Sequence, residues 1–230
     1  MTSEVAYELE ADFYLLYTCN YRCAYCFFFF FSLGQKIVIH ADHDRWSEAF
    51  DRTGKPWLIH ITGGEPSLYP QFATLCQKLT QRHCISLNSN LSHKSIVEFS
   101  NRVDPSRVTF INAAFHVAER ASRRGEALFL RHAGILRDQG FRIFVSLVVT
   151  PESIDQLGDI MAWFSAENLI AVPKLMRGMY RGKRYPTGYS HKEKALLSGY
   201  FALARRAMNE RYASGDFDPT IDLFHDDGLL

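Results

Sequence analysis

Six short apolar runs recur along the chain, with segments of helical character between them. Near-continuous apolar strands that alternate with helices are typical of a parallel sheet covered by helices. The pattern therefore predicts an α/β fold, and six such strands suit a partial barrel as well as an open, doubly wound sheet. The predicted strands are 12–18, 56–62, 84–90, 107–115, 142–150 and 169–175.

The helices are predicted from their periodicity and from the residues at their ends. Asp42 is a cap candidate for a helix that begins with RWSEAFDR. Pro151 follows Thr150 and predicts a helix that begins at this proline, because proline is tolerated at the first helical position. Further helices are predicted at 69–83, 93–101, 126–140 and about 191–213.

The composition favours one globular domain. The chain has 230 residues, of which 47% are hydrophobic, enough for a buried core. No linker, repeat or break in composition divides it. We expect residues 1–190 to form the core of this domain and residues 191–230 to add a helix and an acidic tail to it.

Charge and hydropathy argue against two classes of partner. The net charge is only +1, which gives no general attraction to nucleic acid or to a membrane surface. The N-terminus has no signal-peptide pattern. The longest wholly apolar block, five phenylalanines at 27–31, is far shorter than the ~18 residues that span a bilayer. We expect a soluble, cytoplasmic protein without a membrane or nucleic-acid partner.

Three of the five cysteines crowd into one loop, at Cys19, Cys23 and Cys26. An odd and clustered set indicates a reducing compartment and a metal rather than a disulfide framework. Three thiolates on one loop can hold an iron–sulfur cluster that has one open iron, or zinc together with His40 or His43. The residues alone leave both possibilities open.

The other cysteines and the phenylalanine block have simpler interpretations. Cys76 and Cys84 are too few for a second cluster, and we expect buried free thiols there. The block at 27–31 directly follows Cys26, so we expect part of it to pack around the metal and exclude water.

Polar and cysteine residues follow one predicted strand after another. Ligands gather at the C-terminal ends of parallel strands, so these residues are expected to share one end of the sheet. Cys19 follows the first strand, the turn from Gly63 to Pro66 the second, and His116 the fourth. Asn88 and Asn90 end the third strand, and Ser146 lies in the fifth.

Two motifs carry a resemblance to a known family. Cys19-x3-Cys23-x2-Cys26, with Tyr25 before the last cysteine, is followed after the second strand by Thr62-Gly63-Gly64-Glu65-Pro66. This combination resembles the radical SAM superfamily over about residues 10–175. The resemblance implies a partial (β/α)6 TIM-like barrel within 1–190. The chain is similar to the core domain of SPASM or twitch-type members, without their cysteine-rich C-terminal extension.

The resemblance implies two cofactors and a reaction. A [4Fe–4S] cluster on the three cysteines would bind S-adenosylmethionine (SAM) through its fourth iron. Reductive cleavage of SAM would then give a 5′-deoxyadenosyl radical that abstracts hydrogen from a substrate. A flavodoxin or ferredoxin would supply the electron.

The resemblance also assigns roles to single residues. Tyr25 would lie by the adenine. Gly63 and Gly64 would let the backbone approach the cofactor, and Glu65 or its neighbouring carbonyls would receive the methionyl ammonium. The remaining cofactor-binding candidates are Pro66, Asn88, His116 and Ser146.

The segment 174–194 is basic, with seven Lys or Arg against one Glu. At the mouth of a barrel it would attract an anionic group of the substrate. That substrate could be a peptide, a nucleoside or a small metabolite. A glycyl-radical activase acting on a partner protein, and a zinc- or cluster-binding interaction module, are the alternative functions. The candidate substrate contacts are Lys174, Arg177, Arg181, Lys183 and Arg184.

Overall fold

The computed structural model describes residues 7–26 and 38–212. The phenylalanine block and the acidic tail lie outside these residues. The described chain divides into two compact units. The first comprises residues 7–22, 38–114 and 118–143, and the second comprises residues 23–26, 115–117 and 144–212.

The first unit contains four neighbouring parallel strands. Their order follows the sequence, and each is hydrogen-bonded to the next. The four strands predicted in this part of the chain are confirmed, although the first begins three residues earlier than predicted. The strands are β1 (Leu9–Leu16), β2 (Trp57–Gly63), β3 (Cys84–Ser89) and β4 (Val108–Ala114).

Helices follow the strands of this unit, largely where the sequence predicts them. Asp42 caps the first helix as expected, because its carboxylate accepts a hydrogen bond of 2.9 Å from the Arg45 amide. The helix predicted at 69–83 is shorter than expected and begins only at Phe72. The helices are α1 (His43–Asp51), α2 (Phe72–Leu79), α3 (Ser95–Arg102), α4 (Val117–Arg123) and α5 (Glu126–Asp138).

The two faces of this sheet differ in chemistry. One face is apolar: Ile61 is fully buried, and its neighbour Phe13 packs on Trp46 of α1 with ring centroids 4.8 Å apart. The alternate residues form a second face that is polar, which is unusual because parallel sheets are normally apolar on both sides. The polar face therefore suits polar contacts rather than a packed core. Its polar residues include Asp12, His60, Ser86, Asn88 and Asn112, and the Phe110 ring lies beside His60 on it.

The second unit contains a parallel pair of strands, a hairpin and two helices. Strands β5 (Ile143–Val149), of which all but the first residue belong to this unit, and β6 (Ala171–Leu175) are paired as neighbours. Both strands are confirmed, as is the last predicted helix. The other elements are α6 (Leu157–Ala166), β7 (Gly178–Tyr180), β8 (Lys183–Tyr185) and α7 (His191–Tyr212).

The helix predicted to begin at Pro151 is wrong in its start. The Ser153 hydroxyl donates to the Thr150 carbonyl at 3.0 Å and accepts from the Thr150 amide at 2.9 Å. These bonds close a turn at the proline, and a 3-10 turn at Ile154–Gln156 follows. The α-helix then begins at Leu157. A proline at a helix start and a proline in a turn have the same sequence signature.

Among the described residues, no helix is both long enough and apolar enough to cross a membrane.

Tyr189 ties the ends of the two strands of the second unit together. Its buried hydroxyl donates to the Val149 carbonyl at 2.5 Å and accepts from the Met176 amide at 3.0 Å. Burial raises the pKa of Tyr189 to about 12. The Tyr189 hydroxyl therefore stays protonated in the folded protein, where it can donate its hydrogen bond.

Tyr189→Phe removes both bonds and leaves a buried carbonyl and a buried amide without this partner. We expect the free energy of unfolding to fall by about 1–3 kcal/mol, measured by urea denaturation. Tyr180→Phe is the matched control, because its hydroxyl makes one exposed bond to Glu152 at 3.3 Å, and it should change stability by less than about 0.5 kcal/mol. Equal effects of the two changes would contradict the role of Tyr189.

Candidate functional site

The first cysteine of the motif follows β1 after two residues. Cys19 is half-buried, and its sulfur accepts a hydrogen bond from the Tyr21 amide at 3.4 Å. The Tyr21 ring is buried, and burial raises the pKa of its hydroxyl. The hydrogen bond at Cys19 and the burial of Tyr21 therefore hold the beginning of the loop after β1 in the first unit.

The other two cysteines belong to the second unit. Cys23 is buried and Cys26 is half-buried, and the Cys26 amide donates to the Cys23 carbonyl at 3.0 Å. Between them, Tyr25 shares a hydrogen bond of 2.8 Å with Nδ1 of His116. The structure therefore brings together two of the residues that were predicted separately as cofactor contacts.

None of the five cysteines, all within the described residues, forms a disulfide. Cys76 and Cys84 are buried outside any disulfide, as expected, and burial raises the pKa of both. Over residues 7–26 and 38–212, no three His, Cys, Asp or Glu side chains are grouped as a ready metal site. The assignment of the loop cysteines to a metal therefore rests on their motif.

The glycine turn after β2 lies against the backbone that leads to Cys19. The Gly64 amide donates to the Leu16 carbonyl at 2.7 Å, and the Glu65 amide donates to the Thr18 carbonyl at 2.9 Å. A Cβ on Gly64 would lie 2.6 Å from the Tyr17 carbonyl oxygen.

Gly63 is constrained in the same way. A Cβ there would collide with the Leu16 carbonyl oxygen, and the φ of Gly63 is +125°, which favours glycine. The two glycines are thus required by the protein's own backbone.

Glu65 is 1% exposed, and its carboxylate accepts four hydrogen bonds. They come from the Ser67 amide at 3.1 Å, the Ser67 hydroxyl at 2.5 Å, the Ser89 hydroxyl at 2.6 Å and the Asn90 amide at 2.6 Å. The carboxylate therefore links the turn to the end of β3. A contact to the methionyl ammonium through the neighbouring carbonyls stays a prediction.

Arg120 is a member of the site that the sequence did not indicate. It is fully buried, and its guanidinium donates to the carbonyls of Asn90 and Gly125. It lies over the rings of Tyr21 and Phe129, 5.2 Å and 4.7 Å from their centroids. Burial lowers the pKa of Arg120. Its position on α4, among several other basic residues, gives no sign of this role.

The remaining cofactor-binding candidates lie in different settings. Asn88 is exposed, and its amide donates to the Thr62 hydroxyl at 3.3 Å. Pro66 is buried at the start of a 3-10 turn. Ser146 is buried in β5 beside Val172 of β6. No direct cofactor contact follows from these positions, and their roles stay predictions.

The basic residues do not form one uniform surface. Arg181, Lys183 and Arg184 are exposed on the β7–β8 hairpin, whereas Lys174 is half-buried in β6. Burial lowers the pKa of Lys174, which shares its sheet face with Ser146. Arg181 forms an ion pair of 2.8 Å with Glu152. Arg177 is exposed between β6 and the hairpin.

The polar face of the first unit holds two groups that the sequence analysis missed. His60 is hydrogen-bonded at 2.6 Å both to the Ser86 hydroxyl and to the Glu10 carboxylate. On the same face, the side-chain oxygen of Asn112 is buried and has no hydrogen-bond partner within the part of the chain that the structure describes. An unpaired buried acceptor calls for a donor, so this face suits a polar ligand.

Gly64→Ala should lower the free energy of unfolding by about 2 kcal/mol or more, because the added Cβ meets backbone atoms that cannot move freely. Urea denaturation of the metal-free protein measures this effect. Gly199→Ala is the matched control: the helical Gly199 has open space around it, and the change should be neutral or stabilising by up to ~1 kcal/mol. A Gly64→Ala variant that is as stable as the parent but no longer responds to SAM would instead show that this glycine serves the cofactor.

The comparison with protein families gives one match. The model described as the Radical SAM superfamily matches residues 13–164, well over half of the chain. No curated protein sequence matches the chain.

Several solved structures are similar. One is native anSMEcpe with bound AdoMet and Kp18Cys peptide, with a TM-score of 0.65 and 14% identity over 85% of this chain and 59% of that one. Streptococcus suis SuiB bound to S-adenosylmethionine has a TM-score of 0.63 and 15% identity over 90% of this chain and 49% of that one. Methylornithine synthase (PylB) has a TM-score of 0.54 and 14% identity over 84% and 61% of the two chains.

The similar structures show the fold, and the family model shows the family. The chain spans about half to three-fifths of the length of the similar structures. The expected α/β fold, a partial (β/α)6 TIM-like barrel, is confirmed. Members of the matched family are enzymes that use a [4Fe–4S] cluster and SAM. By the match over residues 13–164, the chain belongs to the radical SAM superfamily.

Proposed function

We propose that this protein is a radical SAM enzyme whose [4Fe–4S] cluster is held by Cys19, Cys23 and Cys26. The observation that carries the proposal is the glycine turn, whose amides bond to Leu16 and Thr18 just before Cys19. The glycine turn thus lies against the backbone that leads into the cysteine loop. When bound, the cluster supplies the electron that cleaves SAM to methionine and a 5′-deoxyadenosyl radical.

The loop cysteines fit such a cluster by their chemistry. None of the three is in a disulfide, and none is as deeply enclosed as Cys76. Three thiolates leave one of four irons for the amine and carboxylate of SAM. Zinc held with His40 or His43 has no comparable support from the family match.

The chain's own residues would bind and orient SAM. The Tyr25 and His116 pair fixes the direction of an aromatic ring that can lie against adenine. The glycine turn brings bare backbone to the methionyl group, while the Glu65 carboxylate holds that turn in place. Pro66, Asn88 and Ser146 are secondary candidates.

We infer that the substrate is a peptide with acidic residues. The similar anSMEcpe structure contains a bound peptide, and SuiB has been solved with a precursor peptide. The exposed cations of the β7–β8 hairpin suit carboxylates. A flavodoxin or ferredoxin is the proposed electron donor. Residues 1–190 are the proposed core of the domain, and residues 191–230 are proposed to belong to the same domain.

Each of Cys19→Ala, Cys23→Ala and Cys26→Ala should lose the cluster and abolish formation of 5′-deoxyadenosine. After anaerobic reconstitution, iron content, the EPR spectrum and 5′-deoxyadenosine release are measured. Cys76→Ala and Cys84→Ala are the controls and should keep full iron content, because their thiols are buried elsewhere in the first unit.

Two outcomes would contradict the cluster assignment. Four irons per chain in the triple variant Cys19/Cys23/Cys26→Ala would place the cluster on other residues. A colourless protein that binds zinc in place of iron would support the interaction-module alternative.

The hairpin is tested with Arg181/Lys183/Arg184→Gln and a fluorescent peptide that contains three glutamates. Exposed charge pairs contribute about 0.2–1 kcal/mol each, so we expect affinity to fall at least about threefold. Binding to the parent should weaken as salt is raised. Release of 5′-deoxyadenosine without peptide should stay near the parent rate.

Lys192/Arg205/Arg206→Gln is the matched control, since it removes the same charge from exposed positions on α7. A glutamine version of the peptide controls for the carboxylates. If both triple variants weaken binding equally, the attraction is one of overall charge and the hairpin is not a substrate contact. If peptide binding and SAM cleavage fall together, the hairpin supports the fold instead.

A further inference from the structure

Asn90 contacts both the glycine turn and the start of the cysteine loop, within the first unit. It directly follows β3 and is 3% exposed. Its amide donates to the Glu65 carboxylate at 2.6 Å, and its carbonyl accepts from the buried Arg120 guanidinium. The backbone of Asn90 is therefore held on both sides, which fixes where its side chain begins.

The side chain of Asn90 is oriented by its own hydrogen bonds. Its oxygen accepts from the Ser92 amide at 2.9 Å, so its nitrogen must point the other way. One N–H of that nitrogen donates to the Asn20 side-chain oxygen at 3.0 Å. The same nitrogen lies 4.0 Å from the Cys19 sulfur, at the outer limit of a hydrogen bond to sulfur, and its second N–H is available for that contact.

Two N–H groups therefore converge on one candidate cluster ligand. The Tyr21 amide reaches the Cys19 sulfur at 3.4 Å, and the Asn90 amide approaches it from a different strand end. Hydrogen bonds to ligand sulfurs are among the features that set the potential of an iron–sulfur cluster. A donor that is shielded from water acts more strongly than one at the surface.

We propose that Asn90 is a positioning residue that raises the reduction potential of the cluster by donating a hydrogen bond to the Cys19 thiolate. The inference rests on the proposed cluster assignment and goes beyond it. Reduction adds negative charge to the cluster and its sulfurs, so a nearby N–H stabilises the reduced form more than the oxidised form. The contact acts before substrate binds.

The test compares Asn90→Asp with the parent in an anaerobic redox titration monitored by EPR, without substrate. Aspartate keeps an oxygen for the Ser92 amide but replaces the donor by a second oxygen. At the potential where half of the parent cluster is reduced, the ratio of reduced to oxidised cluster should fall about two- to tenfold. Asn90→Ala should also lower the ratio of reduced to oxidised cluster, but by a smaller factor.

Asn101→Ala is the matched control, since that side chain is exposed on α3 and bonds only to Gln139 among the contacts described for it. It should leave the titration unchanged. A parent-like midpoint in Asn90→Asp, with full iron content, would overturn the inference.

A second measurement needs no variant at this position. In the reduced parent protein labelled with [15Nδ2]asparagine, pulsed EPR should detect a 15N nucleus coupled to the cluster. The absence of that coupling would also overturn the inference, even if Asn90 variants fail to fold. Failure of the proposed function looks different, because then the parent protein would bind no cluster at all.

Discussion

The buried carboxylate of Glu65 is the interaction on which the order of the candidate site depends. A charged or polar group that is removed from water must have its hydrogen bonds satisfied inside the protein. Here four donors from the turn and from the end of β3 satisfy it. One of those donors is the backbone amide of Asn90, whose carbonyl accepts from Arg120 and whose side-chain nitrogen lies near the Cys19 sulfur. A buried carboxylate whose hydrogen bonds are satisfied in this way favours one arrangement of the strand ends.

In the first unit, one face of the sheet packs against the helices and the opposite face carries polar side chains. Ile61 and its apolar neighbours support the helices, while His60, Ser86 and Asn112 point to the opposite face. Because side chains alternate along a strand, both faces can be altered independently. A family that shares a barrel can therefore vary its substrates through the polar positions and keep its core.

Much of the fold was predictable, because the strands are apolar runs bounded by turns. All six strands were located, and so was the Asp42 cap. The start of α6 was not, since Ser153 bonds back to Thr150 and converts a helix signal into a turn. Arg120 was hidden, and although Asn90 was noticed at the end of the third strand, its contact with Cys19 was not. Their contacts depend on which strand ends meet, and a residue's partner 30 or 71 positions away leaves no local pattern.

The close approach of the glycine turn to β1 affects how such motifs should be used to recognise relatives. Gly63 and Gly64 are demanded by the carbonyls of Leu16 to Thr18, atoms that every chain with this turn possesses. A descendant that had lost its cluster would still need both glycines in order to fold. The cysteines are the residues proposed to bind the cluster itself. In a lineage that has abandoned radical chemistry, the cysteines should disappear first and the glycine pair should persist as a trace of ancestry.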